Sequence, residues 1–309
     1  MTPVAFSFSD FLDRVFVFER YGELLELLSQ SIIAGAVLGL IGGFVGLFVM
    51  MRQHAFAVHG IAEMSFAGAA LFLLLGYDVV TGSLVGSITS ALLIGFMGTK
   101  AHENDSVIGA LMPFGLGLGI LFLSLYSGRS ANKFSLLTGQ IVSVEASQLN
   151  TMIVGAVVII AALAILWRPL MFASLDPIVA QAKGVPLRAL SLIFMVILGI
   201  ATALSVQVVG SLLVLALLIT PAAAALQITA SPLRALILSV LFAETAMVGG
   251  ILLALAGSLP ISPYVTTLSF LIFVVCRLAR AVRQRYSASG RVRSPEAAAA
   301  PSPAGGQSS

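Results

Sequence analysis

The sequence predicts an all-α polytopic membrane protein: a bundle of about nine transmembrane helices, N-terminus outside and C-terminus inside, with a short cytoplasmic coupling helix. Three observations carry that expectation. Charged residues make up 9% of the 309 residues and hydrophobic ones 59%, whereas soluble domains carry roughly 25% charge. The apolar residues gather into segments of ~20, the length that crosses a ~30 Å hydrocarbon layer. The remaining Lys and Arg fall unevenly on the two sides of those segments. A soluble domain is excluded. The single cysteine, Cys276, excludes an internal disulfide framework and any multi-cysteine metal cluster.

Taken in order, residues 1–28 carry Asp10, Asp13, Glu19, Glu23 and Glu26 against Arg14 and Arg20, interleaved with Phe, Val and Leu. That pattern predicts an interfacial helix lying on the membrane, and it lacks the basic start and cleavage site of a signal peptide. A permease-like body of 29–280 follows, with apolar segments at roughly 29–51, 56–76, 79–99, 107–127, 150–167, 188–206, 208–228, 234–256 and 262–277. The stretch 188–228 is divided because ~40 apolar residues are about twice one crossing, which places a tight turn near Gln207. With nine crossings, twelve Lys and Arg lie on one side, including Arg52, Lys183, Arg188 and the six arginines from Arg277 to Arg293, and four on the other. The richer side is expected to be cytoplasmic. Residues 281–309 are rich in Ser, Ala, Pro and Gly and are expected to be a disordered tail. Arg277, Arg280, Arg283 and Arg285 are placed to meet anionic membrane lipid, although positive-inside anchoring explains them equally.

Glycines at one-turn spacing, such as Gly35, Gly39, Gly42, Gly43 and Gly46, allow close helix packing in lipid. The ionisable residues inside the spans are more informative, because each is costly to bury. His59 and Glu63 are four apart and share one helix face. Counting from Arg52 at ~1.5 Å per residue, they lie ~10 and ~16 Å deep, and Glu244 reaches a similar depth from Arg234. An imidazole and a carboxylate one turn apart make half a site for a divalent cation such as zinc or manganese; a buried hydrogen bond fastening two helices would use the same pair. Gly60 between them could loosen the helix, as in discontinuous transporter helices. Glu244 lines a pathway or hydrogen-bonds between helices. On the cytoplasmic side, the segment Asp176, Pro177 through Gln181, Lys183 and Gly184 has a good N-cap, first-turn proline and glycine stop. A two-turn surface helix is expected there, suited to docking a partner.

The chain has no Gly-Lys dipeptide, so it lacks a phosphate-binding loop, and any ATP must be hydrolysed by another chain. With three histidines and no His-Glu-x-x-His, a membrane metalloprotease is not supported. No internal repeat argues for an ion-coupled secondary transporter, which stays an alternative class.

Three stretches resemble the permease subunit of the zinc/manganese class of bacterial ABC metal importers. They are Gly46 to Gly68, with its Arg-led segment and His-Gly-Ile-Ala-Glu turn; Val208 to Ala225, which carries Gly210, Leu212, Leu213 and Pro221-Ala-Ala; and Leu259-Pro-Ile-Ser-Pro263. The family usually has Asp and then His where this chain has His59 and Glu63, so one nitrogen and one oxygen ligand are kept in exchanged positions. The resemblance implies a subunit of a bacterial inner-membrane importer of zinc or manganese, itself not an enzyme and with no resident cofactor. It also implies a second permease copy, an extracytoplasmic metal-binding protein and a cytoplasmic ABC ATPase docking near 174–186. His59 and Glu63, with Glu244, would carry the ion. A chelated-iron or haem permease is the nearest alternative. No nucleic-acid partner is implied.

Overall fold

The computed structural model describes residues 22, 25, 28–97, 101–128, 144–255 and 261–291. All its regular structure among these residues is helical: α1 (Ser29–Met51), α2 (Ala55–Leu75), α3 (Val79–Met97), α4 (Ala101–Leu125), α5 (Ala146–Ile165), α6 (Trp167–Leu175), α7 (Pro177–Ala182), α8 (Leu187–Leu218), α9 (Thr220–Ile228), α10 (Pro232–Leu255) and α11 (Ile261–Arg291). Eight of these contain a stretch long and apolar enough to cross a membrane. The expected interfacial segment 1–28 lies almost wholly outside the described residues.

Close backbone contacts fix the directions of the helices. Gly68 of α2 lies against Gly82 and Gly86 of α3, an antiparallel pair, whereas Gly60, Gly115 and Gly119 set α4 parallel to α2. Gly95 and Gly199 set the first part of α8 antiparallel to α3, and Gln207 Nε2 donates to the Val80 carbonyl at its far end. Gly42 and Gly46 of α1 meet Leu217 and Leu218, while Gly43 meets the backbone of Val240 in α10. Small residues thus bring backbones together where lipid gives no hydrophobic drive. Ser239 Oγ adds a bond to the Gly43 carbonyl at 2.9 Å.

Tracing these directions puts the α1–α2 turn, the end of α3, α6, α7, the start of α8, the α9–α10 turn and the end of α11 at one end of the bundle. Every described Lys and Arg from Arg52 to Arg285 lies at or toward that end. The opposite end among the described residues carries Asp78, which caps α3 by accepting from the Thr81 N–H and Oγ1–H at 2.8 and 2.7 Å.

Four expectations are corrected. The seventh span is not an unbroken helix: the apolar piece Leu213–Ile228 is shorter than the others and is interrupted between α8 and α9. The turn expected near Gln207 falls at Gly210, whose φ of 79° and ψ of 162° are non-helical and accessible to glycine without a Cβ clash. Gly60 does not loosen α2, which is continuous there; its bare Cα instead lets Ile108 of α4 approach. The last helix runs past 280 to Arg291, since Ala, Arg and Gln are strong helix formers. Residues 292–309 of the expected tail lie outside the described residues.

Candidate functional site

His59 and Glu63 share a face of α2, and exposure along that face falls from the Arg-rich end inward. Phe56 is exposed, His59 is 27% exposed and Glu63 is 4% exposed. Of the pair, His59 is the more exposed and Glu63 is buried. His59 Nδ1 and Glu63 Oε1 are 4.0 Å apart, too far for a hydrogen bond. The fastening role is therefore unmet: His59 Nδ1 and Glu63 Oε2 are both buried without a hydrogen-bond partner. Orphaned polar atoms in a low-dielectric interior are costly. One nitrogen and one oxygen left unsatisfied on the same face can be relieved by a cation that takes both lone pairs.

Helix α2, which carries the pair, packs against α3, α4 and α8. Gly115 lies against the backbone of Glu63, and Gly119 lies beneath the Phe66 ring. On the other side runs a line of buried hydroxyls. Ser65 Oγ and Ser83 Oγ are 2.6 Å apart, Ser83 Oγ donates to the Ala203 carbonyl at 3.4 Å, and the Ser90 and Thr202 hydroxyls lack partners. The signal for this seam was present in α3 as serines at 83, 87 and 90, a helical i, i+4, i+7 spacing that the ionisable residues overshadowed.

Glu244 does not join the pair. Its carboxylate lies over Gly39, where an added Cβ would come within 3.0 Å of it, so it occupies the seam between α10 and α1. Among the described residues no three His, Cys, Asp or Glu side chains are grouped to hold a metal ion.

At the Arg-rich end, Asp176 Oδ1 accepts from the Val179 N–H at 3.0 Å and caps α7, with Pro177 in its first turn. The Lys183 N–H donates to the Val179 carbonyl at 3.0 Å, and Gly184 leaves the helix at φ 84°. Ala180 is fully buried, while Ile178 is 80% exposed and Val179 is also exposed; Gln181 and Lys183 are exposed as well. The helix is held from below and presents an apolar tip outward. Beside it, the Arg52 guanidinium sits 5.4 Å over the Phe194 ring, on which His54 stacks at 6.1 Å. Burial lowers the Arg52 pKa; burial and then the Arg52 charge hold His54 at about 4.

Gly210 and Pro221, in the stretch singled out for its motif, bound the broken crossing. Gly210 breaks the helical path within α8, the Ser211 hydroxyl beside it is buried without a partner, and Pro221 lies in the first turn of α9. The Leu259–Pro263 stretch is described only from Ile261.

The sequence profile of the ABC 3 transport family matches residues 24–280. The manganese transport system membrane protein MntC of Listeria monocytogenes is 27% identical over 254 residues, which cover 82% of this chain and 90% of the relative. The high-affinity zinc uptake system membrane protein ZnuB of Haemophilus influenzae is 23% identical, over 82% of this chain and 97% of that protein. Among solved structures, PsaBC from Streptococcus pneumoniae in complex with Fab superposes with a TM-score of 0.75 at 26% identity, over 84% of this chain and 95% of that chain.

Proposed function

The chain belongs to the ABC 3 transport family as a multi-pass permease of the plasma membrane, and on that premise we propose that it carries a divalent metal ion, manganese or zinc, inward. The observation that carries the reading is the His59–Glu63 pair, whose Nδ1 and Oε2 are buried and unpartnered inside α2. The names of the relatives, manganese and zinc transport proteins, support the same cargo. An external binding protein delivers the ion, and a second copy of the permease supplies the rest of its ligands, since no three His, Cys, Asp or Glu side chains are grouped among the described residues. His59 and Glu63 replace part of the water shell of the ion and hold it weakly enough to release it. ATP is hydrolysed by separate cytoplasmic subunits that dock on α7, whose exposed Ile178 and Val179 suit an apolar pocket. The Arg-rich end faces the cytoplasm, following the positive-inside bias, so the N-terminus is outside.

Vesicles containing the permease, its ATPase and its binding protein test this reading through uptake of radioactive manganese and zinc. ATP-dependent accumulation of one of them is expected. If neither accumulates while the assembled complex hydrolyses ATP, the cargo is not a bare divalent ion.

A further inference from the structure

A cleft of about 430 Å³ opens at the Arg-rich end, lined by Arg52, Gly95, Phe96, Pro177, Arg188 and Ser191 among others. It lies where the end of α3 meets the start of α8, beside the first residue of α7. We propose that this cleft binds the phosphate of an anionic phospholipid from the adjoining leaflet. The site is separate from the His59–Glu63 pair, and it does not depend on which ion is carried.

The chemistry of the lining calls for an anion. Arg52 and Arg188 both line the cleft, and among the described residues no carboxylate does. The nearest in sequence, Asp176, is committed to capping Val179. Arg52 stacks its guanidinium face on Phe194, yet its Nε and Nη1 are buried with no hydrogen-bond partner. A ring face satisfies the charge but not the in-plane donors. Buried guanidinium N–H groups without an acceptor are costly, and the planar fork of Arg matches phosphate oxygens. Arg188 stands exposed in the first turn of α8, where Pro186 provides no side-chain cap, so the free N–H groups of that turn add positive potential. Ser191 offers a hydroxyl within the same lining.

The surroundings choose a lipid over a soluble anion. Phe96 lines the cleft and is 66% exposed, and Leu93 and Ile193, on the same two helices and deeper in the bundle, are exposed as well. An amphiphile with its phosphate on the arginines can lay an acyl chain along these side chains, so both of its parts are matched. A headgroup seated there would touch Pro177 and stiffen the start of α7.

Native mass spectrometry of the permease purified with its ATPase, after reconstitution in mixed phosphatidylglycerol and phosphatidylcholine, tests the proposal. Wild type is expected to retain phosphatidylglycerol preferentially, and added inorganic phosphate is not expected to displace it. Arg188→Gln and Arg52→Gln should each weaken retention about tenfold, the worth of one charge-assisted hydrogen bond. Arg234→Gln, an equal loss of charge at the same end and away from the cleft lining, should retain lipid as wild type does. Equal loss in Arg234→Gln overturns the proposal in favour of diffuse attraction. Displacement by inorganic phosphate makes the ligand a soluble anion. Unchanged retention in Arg188→Gln with lost ATPase assembly assigns the cleft to an acidic side chain of the ATPase. Arg188 is exposed, so its variant remains informative if Arg52→Gln fails to fold.

Discussion

Phe194 carries the Arg52 guanidinium and the His54 imidazole against one ring, and at the residue scale this gives the molecule a pH dependence outside its spans. His54 is held at about 4 by burial and by Arg52, against about 6.5 in an unfolded chain. Between those values the unfolded chain binds a proton that the folded one refuses, so stability falls as pH drops from about 6.5 toward about 4 and is flat above that window. Thermal unfolding followed across the window is expected to show that loss in wild type and little of it in His54→Phe, which keeps an aromatic ring against Phe194. The proposed ion-handling residues were legible in the sequence because His59 and Glu63 are ionisable within an apolar stretch and one turn apart. Whether they bonded each other was not legible: spacing sets the shared face, and only side-chain placement leaves them 4.0 Å apart. Glu244 was legible as an intramembrane carboxylate but not as a neighbour of Gly39, because that contact joins residues 205 positions apart in the chain.

At the scale of elements, the caps of α7 were readable from Asp176, Pro177 and Gly184, since capping is local chemistry. Asp176→Ala should cost about 1 kcal/mol in that helix, seen as faster hydrogen exchange at the Val179 amide, with weaker coupling of transport to ATP hydrolysis. The turn between the sixth and seventh crossings was read three residues early. Composition is uniform from 188 to 228, and the only local mark is a glycine among several, so the position depends on which glycine the tertiary structure forces to positive φ. A branched side chain at Gly210, with φ 79°, is strained by about 1–3 kcal/mol. Gly210→Val is therefore expected to lower the unfolding temperature or to move the break, whereas Gly117→Ala, with open space around it, should do neither. Gly60 was misread for the complementary reason: a glycine inside a helix signals a close neighbour as readily as a hinge, and here Ile108 of α4 is that neighbour.

For the whole molecule, the class and the span order followed from hydropathy and charge alone, while the close-packed seams and the serine line between α2, α3 and α8 required the fold. The proposed orientation can be checked by labelling. With Cys276 replaced by Ser, a cysteine at Gly128 should react with an impermeant thiol reagent added outside intact cells, and one at Lys183 only after the membrane is opened; the reverse pattern would invert the molecule. The central claim is that the unpartnered atoms of His59 and Glu63 hold the travelling ion. It is tested most directly by ATP-dependent uptake of radioactive manganese and zinc into vesicles bearing wild type, His59→Ala or Glu63→Ala, each with its ATPase and binding protein. The expected result is loss of uptake in both variants, on the order of tenfold or more for a ligand lost from a metal site, with ATPase assembly and nucleotide binding intact. Wild-type uptake in both would contradict the account and make the pair a structural feature of α2.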